Sequence, residues 1–233
     1  MTNTVSQDAS TWERYAPTRF ADIAIADNYT RLDLGDWVRF PTRTGNIILE
    51  GGYGCGKTTI AQTIARERLG SSISSVELNG GTWDNKTLER LEGVHNWAAS
   101  QGEVPVVIIN EVDRLKDKQY ELREFIDRHK NRFLFIMTTN HLGNLDGSVI
   151  DRSDVFNIRG FTPSEAVLLA EPLLAKQGVV LKSADLLLLF ERRLRTGEKH
   201  LSLRQIGRVV DGLVLQAAPP TPPKPTGSHL RVV

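Results

Sequence analysis

One eight-residue stretch, 51–58, constrains the fold of this chain more than any other. It reads GGYGCGKT and fits the pattern G-x-x-x-x-G-K-[ST], with an apolar run before it and a helical pattern after it. Glycines lack a Cβ, so such a loop can curl until several backbone N–H groups point at phosphate oxygens. The start of the following helix attracts the same anion. The stretch therefore predicts a strand, a phosphate-binding loop and a helix.

Each polar residue of this loop has a predicted role. Lys57 would place a positive charge on the β and γ phosphates of ATP, and Thr58 would offer its hydroxyl to Mg²⁺. Cys55, the only cysteine of the chain, excludes an internal disulfide and is interpreted as a small filler of the loop. The predicted nucleotide-binding residues of the loop are Gly51, Gly52, Tyr53, Gly54, Cys55, Gly56, Lys57, Thr58 and Thr59.

Composition narrows the class of protein and its surroundings. Hydrophobic residues make up 40% of the chain and charged residues 24%, which is typical of a globular protein. The apolar runs fall far short of the roughly 18 residues that span a bilayer, and the first ten residues are polar. We therefore expect no membrane association and no secretion, with a cytoplasmic location, or a nuclear one if the source is eukaryotic.

The net charge of +1 gives no overall basic field, so any contact with DNA would have to be local. Two clusters of basic residues are candidates for such contacts, and each has a solvated helix face as its alternative interpretation. They are Arg128, Lys130 and Arg132 in one cluster, and Arg192, Arg193 and Arg195 in the other.

From residue 46 onward, short apolar runs alternate with helical periods. Strands are predicted at 46–50, 75–78, 106–109, 133–137 and 155–158, and helices at 58–69, 87–99 and 117–130. This alternation indicates an α/β fold in which a parallel five-stranded sheet lies between helices. Uninterrupted apolar runs at 106–109 and 133–137 predict strands buried on both faces, at the centre of the sheet.

Helices alone are predicted beyond a hinge at Arg159 and Gly160. Capping boxes begin at Thr162 and Ser202, Pro163 suits a first helical position, and Ser183 is predicted to cap a helix that continues to residue 195. We expect a small helical lid domain at 161–217, after an N-terminal segment at 1–27 and an ATPase domain at 28–160. Five prolines in residues 218–233 predict an extended tail, which would dock on a partner or serve as a linker.

The strand at 106–109 leads directly into two polar residues. Glu111 is the candidate for the carboxylate that orients and deprotonates the attacking water, because a buried parallel strand delivers its end to the edge where the phosphate loop opens. Asn110 would face Mg²⁺ with an amide oxygen but without a charge, so metal affinity and turnover are expected to suffer. Asp113 would compensate for this, or would cap the next helix.

Three more polar residues complete the candidate catalytic set. Asn140 follows the strand at 133–137 and would sense the γ-phosphate or the attacking water. Arg152 lies at a domain edge, where its fixed fork of donors would reach the nucleotide of a neighbouring subunit. Arg204, in the first turn of the last helix, would reach the phosphates from the lid.

These residues together resemble the AAA+ ATPases, and among them the small subunits of sliding-clamp loaders of the replication factor C type. The resemblance covers about residues 12–217. By resemblance, 51–58 is the Walker A motif, 108–115 the Walker B stretch, Asn140 sensor 1, Arg152 the arginine finger and Arg204 sensor 2. The segment WERYAP at 12–17 looks like the segment that packs near adenine in this family, which makes Tyr15 and Pro17 contacts of the base.

The sequence also departs from the family pattern. Asn110 replaces the Walker B aspartate, and the finger motif keeps only its arginine, between Asp151 and Ser153. The proline-rich stretch stands where the family continues into a collar domain, so we expect no collar and no stable pentamer of the clamp-loader sort. Rings or arcs formed by AAA+ subunits around ATP remain an expectation.

The leading functional hypothesis is an ATPase of DNA metabolism. It would couple ATP binding and hydrolysis to assembly on DNA or on a partner, such as a clamp or a replication or recombination protein. One alternative is a regulatory subunit that binds ATP but hydrolyses it poorly, which Asn110 favours. Others are an AAA+ protein of the helicase-loader or transposition type, and a protein-remodelling machine that acts on no nucleic acid.

Overall fold

A parallel five-stranded sheet organises the larger part of the molecule. The structure is a computed structural model, and it describes residues 16–70 and 74–217. The strands are β1 Gly45–Glu50, β2 Ser75–Asn79, β3 Val106–Asn110, β4 Leu134–Thr139 and β5 Asp154–Asn157. Their order is β2-β3-β4-β1-β5, and every pairing is parallel. The predicted α/β fold with a parallel five-stranded sheet is confirmed.

The central strands are buried along almost their whole length because helices cover both faces of the sheet. All six residues of β4 are buried, as are the first four of β3. Adjacent side chains of β1 enter different clusters: Ile47 and Leu49 pack on one face, and Ile48 packs on the other. The sheet is thus the middle layer of a three-layer domain.

Five α-helices flank this sheet in the described residues. They are α1 Asn28–Arg39, α2 Lys57–Leu69, α3 Asn85–Ser100, α4 Gln119–Arg128 and the short α5 Gly147–Ile150. Leu34 of α1 and Ile60 of α2 join the cluster on one face, while Leu91 of α3 and Phe125 of α4 join the other. Helix α1, which the sequence interpretation missed, begins after Asp27, whose carboxylate accepts from the backbone N–H of Thr30 at 2.7 Å.

Three further helices pack around a core of their own. They are α6 Pro163–Lys176, α7 Ser183–Glu191 and α8 Leu203–Ala217, with buried side chains that include Leu174, Phe190 and Ile206. Both expected capping boxes are present, at Thr162 and at Ser202. These helices form the region that the sequence interpretation named a lid.

A short bridge ties the start of this helical region to its last helix. The backbones of Phe161 and Leu201 exchange two hydrogen bonds, of 2.8 and 2.7 Å. Because Leu201 stands just before α8, the bridge sets where that helix begins relative to the sheet.

Several predicted boundaries were wrong. The helix expected at 117–130 is a 3₁₀ segment, Val112–Lys118, followed by α4, because Lys116 has a positive φ of 49° that breaks the helical path. Ser183 is the first residue of α7 rather than its cap, which is Lys182. Helix α7 ends at Glu191, beyond which i to i−3 bonds such as Arg193 N–H to Phe190 tighten the chain. Strand β5 lies one residue earlier than expected, at Asp154–Asn157 rather than 155–158.

Some predictions fall on residues that the structure does not describe. Tyr15 and the proline-rich stretch at 218–233 lie outside the described residues. In the part of the chain that is described, none of the helices has the length and apolarity needed to cross a membrane.

Candidate nucleotide-binding site

The glycine-rich loop connects the end of β1 to the start of α2 by backbone conformations that other residues rarely adopt. Gly51, Gly54 and Gly56 have φ angles of 156°, 75° and 94°. A Cβ on Gly51 would lie 2.2 Å from the carbonyl oxygen of Ile158, and one on Gly56 would lie 2.9 Å from Leu203. Glycine is therefore required where this loop packs against the end of β5 and against the lid.

Lys57, the first residue of α2, is turned back into the loop. Its ammonium donates to the carbonyls of Gly51 and Gly52 at 2.7 and 2.8 Å, and to Oδ1 of Asn140 at 2.8 Å. The side chain is buried, and this burial lowers the pKa of Lys57 below the ordinary value of a lysine. The same contacts place Asn140, at the end of β4, beside the loop, as its position in the sequence predicted.

Asn110 ends β3 directly beside α2. Its Oδ1 accepts from the hydroxyl of Thr58 at 3.0 Å and from the hydroxyl of Thr138 at 3.1 Å. Its Nδ2 donates to Glu77, on β2, at 2.6 Å. The structure thus brings the two predicted metal residues, Thr58 and Asn110, into contact, and adds a carboxylate that the sequence interpretation missed.

Asp113 does not cap the helix that follows it, and its role as a compensating charge stays a prediction. Its carboxylate accepts from the hydroxyl of Thr139 at 2.8 Å, and no side chain caps the 3₁₀ segment that contains it. The carboxylate that contacts Asn110 is Glu77 instead.

Glu111 is held in an unusual backbone conformation at the same end of the sheet. Its φ and ψ are 53° and 51°, in the left-handed region. Its carboxylate forms an ion pair with Arg114 at 3.0 Å and accepts from Asn79 at 3.3 Å. The side chain also lines the cavity above the loop, so a carboxylate is available there to orient a water molecule.

That cavity, of about 490 Å³, brings most of the predicted residues together. It draws on the loop, on the ends of β3 and β4, and on helix α8. Its lining includes Tyr53, Gly54, Gly56, Lys57, Thr58, Thr59, Glu111, Thr138, Asn140, Leu203, Arg204, Gly207, Arg208 and Asp211. Arg208 is one turn beyond Arg204, and this i, i+4 spacing is the signal that could have identified it.

Gly52 and Cys55 face a different side of the loop. Both line a neighbouring cavity of about 550 Å³, together with Tyr53 and Arg204. The Cys55 side chain is buried, and this burial raises the pKa of its thiol above the ordinary value. A buried thiol with a raised pKa agrees with the interpretation of Cys55 as a filler.

A more apolar cleft of about 340 Å³ opens on the other side of the loop. Pro17, Ile23 and Gly56 line it from the sheet domain, and Leu169 and Pro172 line it from α6. Thr59 borders both this cleft and the larger cavity. The cleft and the cavity therefore meet at the start of α2.

Arg152 lies apart from these residues. Its guanidinium pairs with Asp127, with Nε–Oδ1 and Nη2–Oδ2 distances of 2.7 and 3.2 Å, and donates to the Ser148 carbonyl at 2.8 Å. The pair is exposed, and it holds the pKa of Asp127 below its usual range. The structure does not bring Arg152 to the cavity that Lys57 and Glu111 share.

The chemistry of the donor set fits a nucleoside triphosphate with Mg²⁺. Three positive-φ glycines, a buried ammonium and a helix N-terminus form a cradle for phosphate. Within the described residues, no group of three or more His, Cys, Asp or Glu side chains is placed to hold a metal ion. Mg²⁺ would accordingly depend on Thr58, Asn110 and phosphate oxygens, which matches its preference for few protein ligands.

The fold and this site define the class of the molecule. Residues 47–161 match the model of the ATPase family associated with various cellular activities (AAA), so the chain contains an AAA domain. The Holliday junction branch migration motor RuvB of Thermotoga maritima has a similar structure, with a TM-score of 0.61 at 16% identity over 87% of this chain and 71% of that one. At this identity the likeness concerns the fold alone.

Particular relatives come from two groups of proteins. Replication factor C subunit 3 of Oryza sativa subsp. japonica is 24% identical over 183 residues, 74% of this chain and 49% of that protein. The replication factor C small subunit of Methanoregula boonei is 26% identical over 162 residues, 65% of this chain and 48% of that protein. The mitochondrial Lon protease homolog of Eremothecium gossypii is 28% identical over 174 residues, 60% of this chain and 16% of that protein. The chain thus spans about half the length of the replication factor C relatives and less of the Lon relative.

Proposed function

We propose that this protein binds ATP with Mg²⁺ and hydrolyses it as a clamp-loader-like AAA+ ATPase of DNA metabolism. The observation that carries the proposal is the 490 Å³ cavity, in which Lys57, Glu111, Asn140 and Arg204 meet from four separate elements. Each is a residue type suited to phosphate charge or to an attacking water. A site that only bound nucleotide would need the lysine but not the carboxylate.

The proposed roles follow from where each group lies. The N–H groups of residues 51–58 and the Lys57 ammonium hold the phosphates, Asn140 fixes the lysine, and Arg204 approaches from α8. Glu111 orients the attacking water and takes its proton. When bound between Thr58, Asn110 and the phosphates, Mg²⁺ would neutralise charge that develops on the phosphate oxygens.

The apolar cleft of about 340 Å³ is the proposed site of the adenine base. Pro17 and the α6 residues Leu169 and Pro172 offer apolar surface, and Thr59 joins this cleft to the phosphate loop. Because α6 belongs to the helical region, a base bound here would connect the lid to the sheet domain. Tyr15 is kept as a proposed contact of the base on the grounds of sequence alone.

The proposed partners are DNA, other AAA+ subunits in a ring or arc, and a clamp or another replication or recombination protein. The replication factor C names of two relatives support this choice. Both basic clusters, at 128–132 and 192–195, are exposed and offer local contacts for DNA phosphates. Arg152 is proposed to act on the nucleotide of a neighbouring subunit.

A second candidate function is ATP-driven remodelling of proteins without nucleic acid. Two Lon relatives favour it, because they are 28% and 27% identical to this chain, against 24% and 26% for the two replication factor C relatives. Asn110 separately favours a regulatory subunit that binds ATP but hydrolyses it poorly. A role in helicase loading or transposition remains a further alternative, because it would use the same AAA+ core.

The test is steady-state ATP hydrolysis measured across a range of protein concentrations, with and without primed DNA. Glu111→Gln serves as the blank, and Glu111→Gln with Lys57→Ala serves as the binding-deficient control. A specific turnover that rises with protein concentration and again with DNA supports a DNA-coupled ATPase that acts between subunits.

Two other outcomes would redirect the proposal. Turnover no better than the blank, together with tight ATP binding, would indicate the regulatory subunit. Turnover that responds to an unfolded protein such as casein and not to DNA would indicate the remodelling function.

A further inference from the structure

We propose that Glu77 is a positioning residue of the nucleotide site, which turns the amide of Asn110 so that its oxygen faces Thr58 and the metal position. This inference rests on the function proposed above. It assigns to Glu77 and Asn110 together the work that an aspartate at position 110 would do alone.

The hydrogen bonds around Asn110 carry the argument. An amide presents an acceptor on one side and a donor on the other, whereas a carboxylate can only accept. Thr58 and Thr138 contact the Asn110 oxygen through hydroxyls, which can donate or accept and so would tolerate either orientation of the amide. Glu77 tolerates only one, with the NH₂ toward itself at 2.6 Å and the oxygen toward Thr58.

The sheet register explains why Glu77 reaches this position. In the parallel pairing of β2 with β3, Glu77 stands opposite Ile108 and Asn79 opposite Asn110. Residues two apart on a strand share a face, so Glu77 lies diagonally beside Asn110. Gln62 of α2 holds Glu77 from the other side, donating to its two carboxylate oxygens at 2.9 and 3.2 Å.

The arrangement also keeps a negative charge close to the metal position. The amide at 110 lacks the charge of an aspartate, but the carboxylate of Glu77 is one hydrogen bond further away. A charge-assisted bond of this kind polarises the amide and makes its oxygen a better ligand. From the sequence alone, Asn110 only lacks the charge of an aspartate. In the structure, Asn110 is hydrogen-bonded to Glu77, which carries that charge.

The pair predicts an unusual coupling between the two positions. In the natural background, Glu77→Gln removes the charge and lets the amide of Asn110 turn either way. In the Asn110→Asp background, Glu77 instead faces a second carboxylate, and like charges at hydrogen-bond distance destabilise each other. In that background, Glu77→Gln replaces the repulsion with a hydrogen bond from an amide. The carboxylate is then at position 110 and the amide at position 77, the reverse of the natural chain.

The experiment measures how the binding of the non-hydrolysable analogue AMP-PNP depends on Mg²⁺, by calorimetry, for the natural chain, both single variants and the exchanged double variant. Glu77→Gln should raise the Mg²⁺ concentration at half-maximal binding by about three- to tenfold, the range for one charge-assisted hydrogen bond at a partly exposed site. In the Asn110→Asp background, the same substitution should leave that concentration unchanged or lower it.

Two controls separate this role from a general one. Glu50→Gln removes a carboxylate that contacts Asn157 between β1 and β5, near the loop but not at Asn110, and should shift the Mg²⁺ requirement by less than about twofold. Gln62→Leu removes the hydrogen bonds that Gln62 donates to Glu77. It should shift the Mg²⁺ requirement in the same direction as Glu77→Gln, by a smaller factor. Melting temperatures without nucleotide and Mg²⁺ report whether each variant is folded.

Several results would overturn the inference. An equal effect of Glu77→Gln in both backgrounds would show that Glu77 acts independently of Asn110. An equal shift of the Mg²⁺ requirement in Glu50→Gln would show that any nearby negative charge has this effect. No effect in the natural background would remove the role altogether. Failure of the proposed function is distinguishable, because AMP-PNP would then not bind the natural chain at all, or would bind Lys57→Ala equally well.

Discussion

The predicted residues around the phosphate loop and the predicted arginine finger, Arg152, are held in opposite ways. At the carboxyl ends of β1, β3 and β4, Lys57 touches Asn140 and Thr58 touches Asn110, so the binding groups already contact one another within one chain. At the edge of the domain, Arg152 is instead fastened to Asp127 and lies outside the cavity. Under the proposed function, the groups that bind the nucleotide are therefore assembled within one chain, whereas the arginine proposed for hydrolysis is held elsewhere.

The difference suggests how an assembled state would control turnover. One chain completes the phosphate cradle, whereas Arg152, in its proposed role, would reach only the nucleotide of a docked neighbouring chain. Its pairing with Asp127 fixes the guanidinium at the surface of this chain. Substitutions that affect affinity and turnover separately can test this division.

The largest effect is expected for Arg152→Ala. If the arginine acts on a neighbour's nucleotide, turnover at high protein concentration should fall about 10³-fold, within the range for arginine fingers. The affinity of a dilute sample for AMP-PNP should stay within about twofold of the natural value. Hydrolysis against protein concentration, together with calorimetry, measures both.

Arg128→Ala, measured without DNA, is the matched control for Arg152→Ala, since Arg128 is exposed, follows Asp127 in the chain and is assigned no part in the nucleotide site. Asp127→Asn sharpens the comparison, because it releases Arg152 without removing it and should preserve turnover. A loss of AMP-PNP affinity in dilute Arg152→Ala would place the arginine in its own chain's site and end the distinction.

Glu111→Gln should reduce turnover by about 10² to 10³-fold, as expected when a general base is lost. AMP-PNP affinity should change little, because the amide keeps the size of the side chain and the phosphates are held by other groups. Single-turnover hydrolysis measures the chemical step directly. Asp117→Asn, at an exposed position of the 3₁₀ segment, is the control for loss of one carboxylate. Equal losses in the two variants would contradict the assignment.

Lys57→Ala should weaken AMP-PNP binding by about 100-fold, because it removes the charge of a buried ammonium from the phosphate cradle. Lys116→Ala, at an exposed lysine, should leave binding unchanged. The pKa of Lys57 is lowered by burial, so its charge is complete below that lowered pKa and is lost as the pH rises through it. Affinity measured from pH 7 to 10 should thus decline for the natural chain and stay flat for Lys57→Ala.

Local sequence patterns were enough to predict where several of the site residues lie. The glycine-rich loop, Glu111 at the end of one strand and Asn140 at the end of another follow from motif and alternation, and parallel strands bring such ends to one edge. That the loop, Glu111 and Asn140 lie close together could therefore be predicted from the sequence.

The remaining features depend on contacts between distant parts of the chain or on backbone detail. The pairing of Glu77 with Asn110 needs the register of β2 against β3, which no local pattern specifies. The break at Lys116 is a positive-φ backbone conformation that lysine rarely adopts and that no sequence pattern marks. The i, i+4 spacing places Arg208 on the face of α8 that carries Arg204, but the orientation of that face over the loop depends on the bridge between Phe161 and Leu201.

A second arginine–carboxylate pair, beyond the other end of β5, provides the smallest test. Arg159 donates to both oxygens of Glu165 at 2.8 and 2.9 Å and to the carbonyl of Ala26 at 3.0 Å, so it joins the hinge, the start of α6 and the N-terminal segment. Unlike Arg152, it is tied to three parts of the fold at once. We therefore expect it to act on stability and not on catalysis.

Glu165→Gln should lower the free energy of unfolding by about 1 kcal/mol at pH 7, the upper end for exposed ion pairs, because both side chains are one-third exposed and solvent screens them. The pair lowers the pKa of Glu165 from 4.5 to about 2. The stabilisation is then complete above pH 4.5 and is lost as the pH falls toward 2, so the natural chain and the variant should converge there. Urea unfolding between pH 3 and 7 measures the difference, with Glu191→Gln as the control. A constant difference across that range would mean that Glu165 stabilises α6 through its cap on Thr162 and not through its charge, and the contrast between the two arginines would then rest on Arg152 alone.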